Sequence, residues 1–135
     1  MTATPIWSGV VAMTPDRYTA FASMAAPWLD EYRCCPFPVT EDGGREERAV
    51  YIAVNTDGMA CYCGQTRPAR FLRRGAALTR ILQHTGTARS KYEEWAAYWT
   101  LPLRPDTPDE FVNWLERTVQ ARLGLPRQNR RWRSA

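Results

Sequence analysis

Residues 48–64 read RAVYIAVNTDGMACYCG. β-Branched and aromatic residues alternate on both sides of Asp57-Gly58, a pair suited to the positive backbone angles of a tight turn. Two antiparallel strands are therefore expected, Arg48 to Asn55 and Met59 to Gly64. A turn centred on that pair places Tyr51 opposite Gly64 and Ala53 opposite Tyr62. Because strand side chains alternate, Tyr51, Ala53, Tyr62 and Gly64 share one face, and the glycine leaves room there for a ligand. The other face, Val50, Ile52, Val54, Cys61 and Cys63, reads as core, which makes those two cysteines small buried hydrophobes.

Downstream, GAALTRILQH from Gly75 to about His84 switches to helical spacing, with Ala77, Leu78, Ile81 and Leu82 on one side and Arg80 and His84 four apart on another. Glu94 to Leu103 returns to an aromatic, alternating strand pattern, with the strand itself at Trp95 to Leu103. The last helix has Thr107 as expected N-cap, Pro108 at its first position and Glu110 completing a capping box. Phe111, Leu115, Val119 and Leu123 form its buried stripe, and Gly124 followed by Pro126 its stop.

Upstream, Thr14 and Pro15 open a helix whose apolar face runs through Tyr18, Phe21, Ala25, Trp28, Leu29 and Tyr32, kinked or restarted at Pro27. Residues 33–48, with two prolines, a Gly-Gly pair and a charge run, read as a loop. The fold class is thus α+β: a small three-stranded antiparallel sheet flanked by helices, residues 48–135, preceded by an N-terminal helical arm and loop, residues 1–47. The Trp28 and Tyr32 face serves either to cover the sheet or to pair two copies, so the oligomeric state stays open, a dimer included.

The chain has 135 residues, 44% apolar and 24% charged, enough for one core and too short for two ordinary domains. No apolar run reaches the roughly 20 residues of a membrane span, and MTATPIWSGVVAM lacks the pattern of a secretory leader, so a cytoplasmic, non-membrane protein is expected. The net charge of +4 is uneven: residues 1–64 hold 4 basic and 8 acidic residues, residues 65–135 hold 14 and 6. Lys91 is the only lysine, and arginine forks suit phosphate oxygens, although a GC-rich genome also yields arginine. Cys34-Cys35 with Cys61-x-Cys63 departs from the usual zinc spacing.

These strands and helices carry a pattern that resembles the GIY-YIG nuclease family. Ala49-Val50-Tyr51 stands at its first motif and Tyr62-Cys63-Gly64-Gln65-Thr66 at its second, eleven residues apart from tyrosine to tyrosine. Arg80-x-x-x-His84 is similar to the arginine and histidine on the helix that follows, and Glu116 ahead of Pro126 and Asn129 to the family's ending. The resemblance covers about residues 48–132. Ala49, Val50 and Cys63 depart from the motifs at non-catalytic positions. Arg80 is favoured as the arginine by its relation to His84, with Arg73 the alternative.

The resemblance implies a metal-dependent DNA endonuclease or nickase. Tyr51 would activate the attacking water, Tyr62 would position water or phosphate, and Arg80 would hold a phosphate oxygen. His84 would touch phosphate or orient a neighbour, and Glu116 would bind Mg²⁺ or Mn²⁺. Gly64, Arg70, Arg73, Arg74, Asn129, Arg130 and Arg131 would contact phosphate or DNA, Asn129 also anchoring the chain and Trp132 offering a stacking surface. The alternative is a non-catalytic DNA- or partner-binding module on the same fold; a redox or zinc role for the cysteines is a third.

Overall fold

The computed structural model describes residues 11–41, 46–67, 75–87 and 94–125. The hairpin forms as strands β2 (Ala49–Val54) and β3 (Ala60–Gln65), with Tyr51 opposite Gly64 and Ala53 opposite Tyr62 as expected. Its loop differs in detail. The Gly58 N–H donates to the Asn55 carbonyl, the Asn55 side chain accepts from the N–H groups of Asp57 and Met59, and Gly58 takes φ 81°. That three-residue loop pairs Val54 with Ala60, so Cys61 is an extra residue, a bulge, before the expected register resumes at Ala53 and Tyr62. The bulge moves Cys61 off the core face where alternation placed it: it packs beside Ala49, Tyr51 and Ala53, while Cys63 stays with Val50 and Ile52.

Strand β4 (Ala97–Pro102) pairs antiparallel with β2, and among the described residues the sheet has four strands, not three. The addition is the two-residue β1 (Phe37–Pro38), which pairs with β4 inside the stretch read as a loop and gives the order β1-β4-β2-β3. Two residues carry no alternation to read, and proline, lacking an N–H, is tolerated on such an edge. No helix among the described residues is long and apolar enough to cross a membrane.

Helix α1 (Pro15–Met24) starts where expected, Thr14 accepting from the Arg17 N–H. It does not continue to Tyr32. The chain leaves the helix at Ala25, ahead of Pro27, and runs along the end of β4, where Asp30 donates to the Pro102 carbonyl and Arg104 to that of Trp28. Helix α3 (Asp109–Arg122) lacks the expected capping box. The Thr107 hydroxyl donates instead to the Arg104 carbonyl, so Pro108 is the cap and no side chain bonds the first turn. At the other end Gly124, at φ 67°, lets Leu125 donate back to the Gln120 carbonyl, the stop its glycine signalled.

α1 and α3 share one side of the sheet. Tyr18, Phe21, Val112, Leu115 and Val119 close there over Val50, Ile52, Trp99 and Leu101. Helix α2 (Ala76–Thr87) covers the opposite side with Ala77, Leu78 and Ile81 against Tyr51, Ala53 and Tyr98. Its start is held by Glu46, whose carbonyl accepts from the Ala76 N–H and whose carboxylate accepts from that of Ala77. This places α2 and α3 on opposite faces of the same outer strand, β3.

The stripe on α3 sets its register, because Leu115 is fully buried whereas Arg117 is exposed. Leu115→Ala is expected to lower the unfolding free energy by about 2–5 kcal/mol, and Arg117→Ala by less than about 0.5 kcal/mol. Urea unfolding checks this; equal losses would mean that α3 faces the sheet differently.

Candidate active site

Last in the sheet, β3 has one edge without a strand partner among the described residues. Near the turn that edge is covered: Val11 accepts from the Ala60 N–H, and Ala12 bridges to Met59. Further along, Gln120 of α3 donates its amide to the Cys63 carbonyl at 3.1 Å. Beyond that point the edge opens into a cleft of about 960 Å³. Thr79, Arg80 and Gln83 of α2 line one side and Asp109, Asn113 and Glu116 of α3 the other, with Tyr62, Gly64 and Gln65 of β3 between them; Arg48, Thr66, Arg67 and Ala76 complete it.

Glu116, Arg80, Tyr62 and Gly64, set apart from one another in sequence, thus meet at one cleft. His84 adjoins it through Tyr62: its Nε2 lies 3.4 Å from the Tyr62 hydroxyl, and the two rings pack with Trp95 into one aromatic cluster. Arg70, Arg73, Arg74, Asn129, Arg130, Arg131 and Trp132 lie outside the described residues.

The space above Gly64 is not open to a ligand as expected. A Cβ there would lie 2.8 Å from the Tyr51 hydroxyl and 2.8 Å from the Tyr62 ring, so the glycine is required by the two phenols that pack over it. Tyr51 itself is fully buried, and its hydroxyl finds no hydrogen-bond partner among the described residues. Burial, followed by the neighbouring Tyr62, holds its pKa well above 10, and Arg80 opposes the shift without reversing it. Tyr62 reaches the cleft but is still pushed up to about 12, first by burial and then by the charge of Glu116. Both phenols are therefore neutral near pH 7, which suits a donor of hydrogen bonds better than a standing phenolate.

Glu116 is half-buried at the border of the apolar stripe, as its place beside Leu115 implied. Burial raises its pKa, and the hydrogen bond from Gln65 works against that rise. Gln65 Nε2 donates to Glu116 Oε1 at 2.7 Å, and Gln120 Nε2 to Oε2 at 3.2 Å. Among the described residues the carboxylate makes no salt bridge. It is held by neutral amides, with lone pairs left over on both oxygens. Such a group fits one hard divalent cation whose remaining shell is water and substrate oxygen. No cluster of three His, Cys, Asp or Glu gathers among the described residues; at the cleft Glu116 is the carboxylate held by amides, while Asp109 pairs with Arg48.

The sequence alone assigns no role to Gln65 or Arg48, and offers Gln120 only as a surface partner of Glu116. Gln65 stands inside the second motif, and Gln120 lies one turn from Glu116, a helical spacing that brings the two side chains into contact. Arg48, buried, donates to the Thr107 carbonyl and to Asp109, tying the start of β2 to the start of α3; nothing in the local pattern linked positions so far apart.

Tyr18, pushed up to about 12 by burial, titrates with Tyr62, and burial raises Tyr51 well above 10 as well. Raised phenol pKa values mean that the unfolded chain loses these protons first. Their stabilisation is full below about pH 10 and fades as pH climbs through about 12. Urea unfolding across that range should show the fall, and Tyr62→Phe should lessen it; an identical fall in both proteins would contradict a half-buried Tyr62.

No protein-family model, curated protein or solved structure matches this chain, and the motifs and geometry above are the ground for a functional assignment.

Proposed function

We propose that the chain is a metal-dependent DNA endonuclease or nickase of GIY-YIG type that hydrolyses phosphodiester bonds at the open edge of β3. One observation carries this reading: a carboxylate held by neutral amides, Glu116, lines one cleft with a guanidinium, Arg80, and a phenol, Tyr62. Phosphodiester hydrolysis needs a placed water, charge against the phosphate and help for the departing oxygen. The Arg80 fork takes phosphate oxygens. The neutral Tyr62 hydroxyl orients the water or phosphate, and His84 Nε2, unprotonated in one tautomer, accepts the proton that Tyr62 passes on when it takes one from the water. Glu116 would hold Mg²⁺ or Mn²⁺, which when bound would supply the Lewis-acid charge that helps the departing oxygen.

Tyr51 keeps, by resemblance, a place in the reaction, from behind Gly64. A buried hydroxyl without a partner costs stability, which a purely packing role would have removed by using phenylalanine. DNA is the partner that the basic half implies. Residues 65–135 carry a net charge of +8, with Arg67 at the cleft and Arg70, Arg73, Arg74, Arg130 and Arg131 proposed to follow the backbone and Asn129 to anchor the tail. Residues 48–135 are the proposed nuclease unit, with residues 1–47 as an arm whose described part closes one face of its sheet and adds β1 to its edge, in a cytoplasmic protein. The complete burial of Tyr51 favours a second reading, a DNA-binding module on the same fold without catalysis.

Incubation with supercoiled plasmid and branched DNA, in Mg²⁺ or Mn²⁺ and in EDTA, separates the two. Wild type is expected to cut and EDTA to stop it. Glu116→Ala should reduce cutting to background, and Tyr62→Phe should cut at least ~10²-fold more slowly. Tyr51→Phe should gain about 1 kcal/mol in stability while losing activity. Binding without cleavage of any substrate by wild type would establish the non-catalytic module.

A further inference from the structure

The Glu116 carboxylate is oriented by amides alone, and the geometry points to Gln65 and Gln120 as a neutral clamp, positioning residues that aim Glu116 at a divalent cation without cancelling its charge. The inference rests on the nuclease reading above and deepens it. Gln65 Nε2 has two hydrogens, and both are used: one goes to Glu116 Oε1 and one to Asn113 Oδ1, each at 2.7 Å. An ionised carboxylate only accepts, so the amide nitrogen, not the oxygen, must face it. Gln120 Nε2, almost fully buried, is shared between Glu116 Oε2 and the Cys63 carbonyl.

The consequence is geometric. Gln120 fixes α3 against the edge of β3, and Gln65, from that same strand, fixes the side chain that α3 presents. Glu116 can then rotate only by breaking a hydrogen bond to each side. A guanidinium in either place would hold the carboxylate as firmly but would also neutralise it and compete with a cation. Partners that orient a ligand without binding the metal commonly change metal affinity or activity on the order of 10–100-fold when removed.

The clamp is tested with Gln65→Met, which keeps length and removes both donors, because Gln65 is only half-buried and its loss should leave Tm within ~3 °C. Two measurements follow, on the full chain. In plasmid cleavage, kcat should fall on the order of 10-fold and the half-saturating Mg²⁺ concentration should rise by a similar factor, with KM for DNA unchanged. In a titration with Mn²⁺ alone, followed by paramagnetic broadening of side-chain amide signals, the Gln120 amide of wild type should broaden early. In Gln65→Met it should need on the order of 10-fold more Mn²⁺, and in Glu116→Ala it should not respond.

Gln65→Met that matches wild type in Mg²⁺ dependence and in broadening overturns the clamp while leaving the nuclease reading in place. A rise in KM for DNA with kcat and Mg²⁺ dependence unchanged overturns it too, making Gln65 a DNA contact. Failure of wild type to cut any substrate overturns the nuclease reading and this inference together.

Discussion

A single extra residue, Cys61, decides what faces the cleft. The loop after Asn55 pairs Val54 with Ala60, one step away from the alignment that puts Tyr62 opposite Ala53. Without the bulge the whole of β3 beyond it would slip by one residue, and every side chain on it would change faces. Tyr62 would enter the core, Cys63 would face α2, and Tyr51 would meet a side chain in place of Gly64. With the bulge, the two phenols lie over a glycine with their ring centres 6.1 Å apart, in a space no larger residue would leave.

The position of β3 at the end of the sheet is the second determinant. α2 and α3 belong to different faces, and they approach each other only around an outer strand. A positive group from one face and a negative group from the other can therefore share one cleft without sharing a hydrogen bond, Arg80 instead donating to Gln83 and Glu116 accepting from Gln65 and Gln120. A direct Arg80–Glu116 pair would quench both charges. The cleft that both line, of about 960 Å³, is where a phosphate and a cation would meet them, which is the electrostatic basis of the proposed chemistry.

Much of this was legible in the sequence because it depends on local periodicity. The register of Tyr51 and Tyr62, the start of α1 at Thr14, the stop of α3 at Gly124 and the border position of Glu116 all follow from alternation, caps and helical spacing. What was not legible depends on tertiary competition. Thr107 is a good capping residue, yet its hydroxyl is taken by Arg104 in the preceding turn. β1 is too short to show a pattern, and the bulge at Cys61 follows from a loop conformation that Asp57-Gly58 permits but does not dictate. The clamp on Glu116 joins positions 65, 116 and 120, and the burial of Tyr51 depends on α2, Trp95 and Tyr98 closing over it; neither is written in any one segment.

The central claim is that the open edge of β3 binds a DNA phosphate between Arg80 and a cation on Glu116. A crystal structure of the Tyr62→Phe variant with duplex DNA and Mn²⁺, read by anomalous scattering, tests it directly. A manganese peak is expected at ~2.1 Å from a Glu116 oxygen, with a backbone phosphate between it and the Arg80 guanidinium. DNA seated on another surface, with manganese away from Glu116, would contradict it.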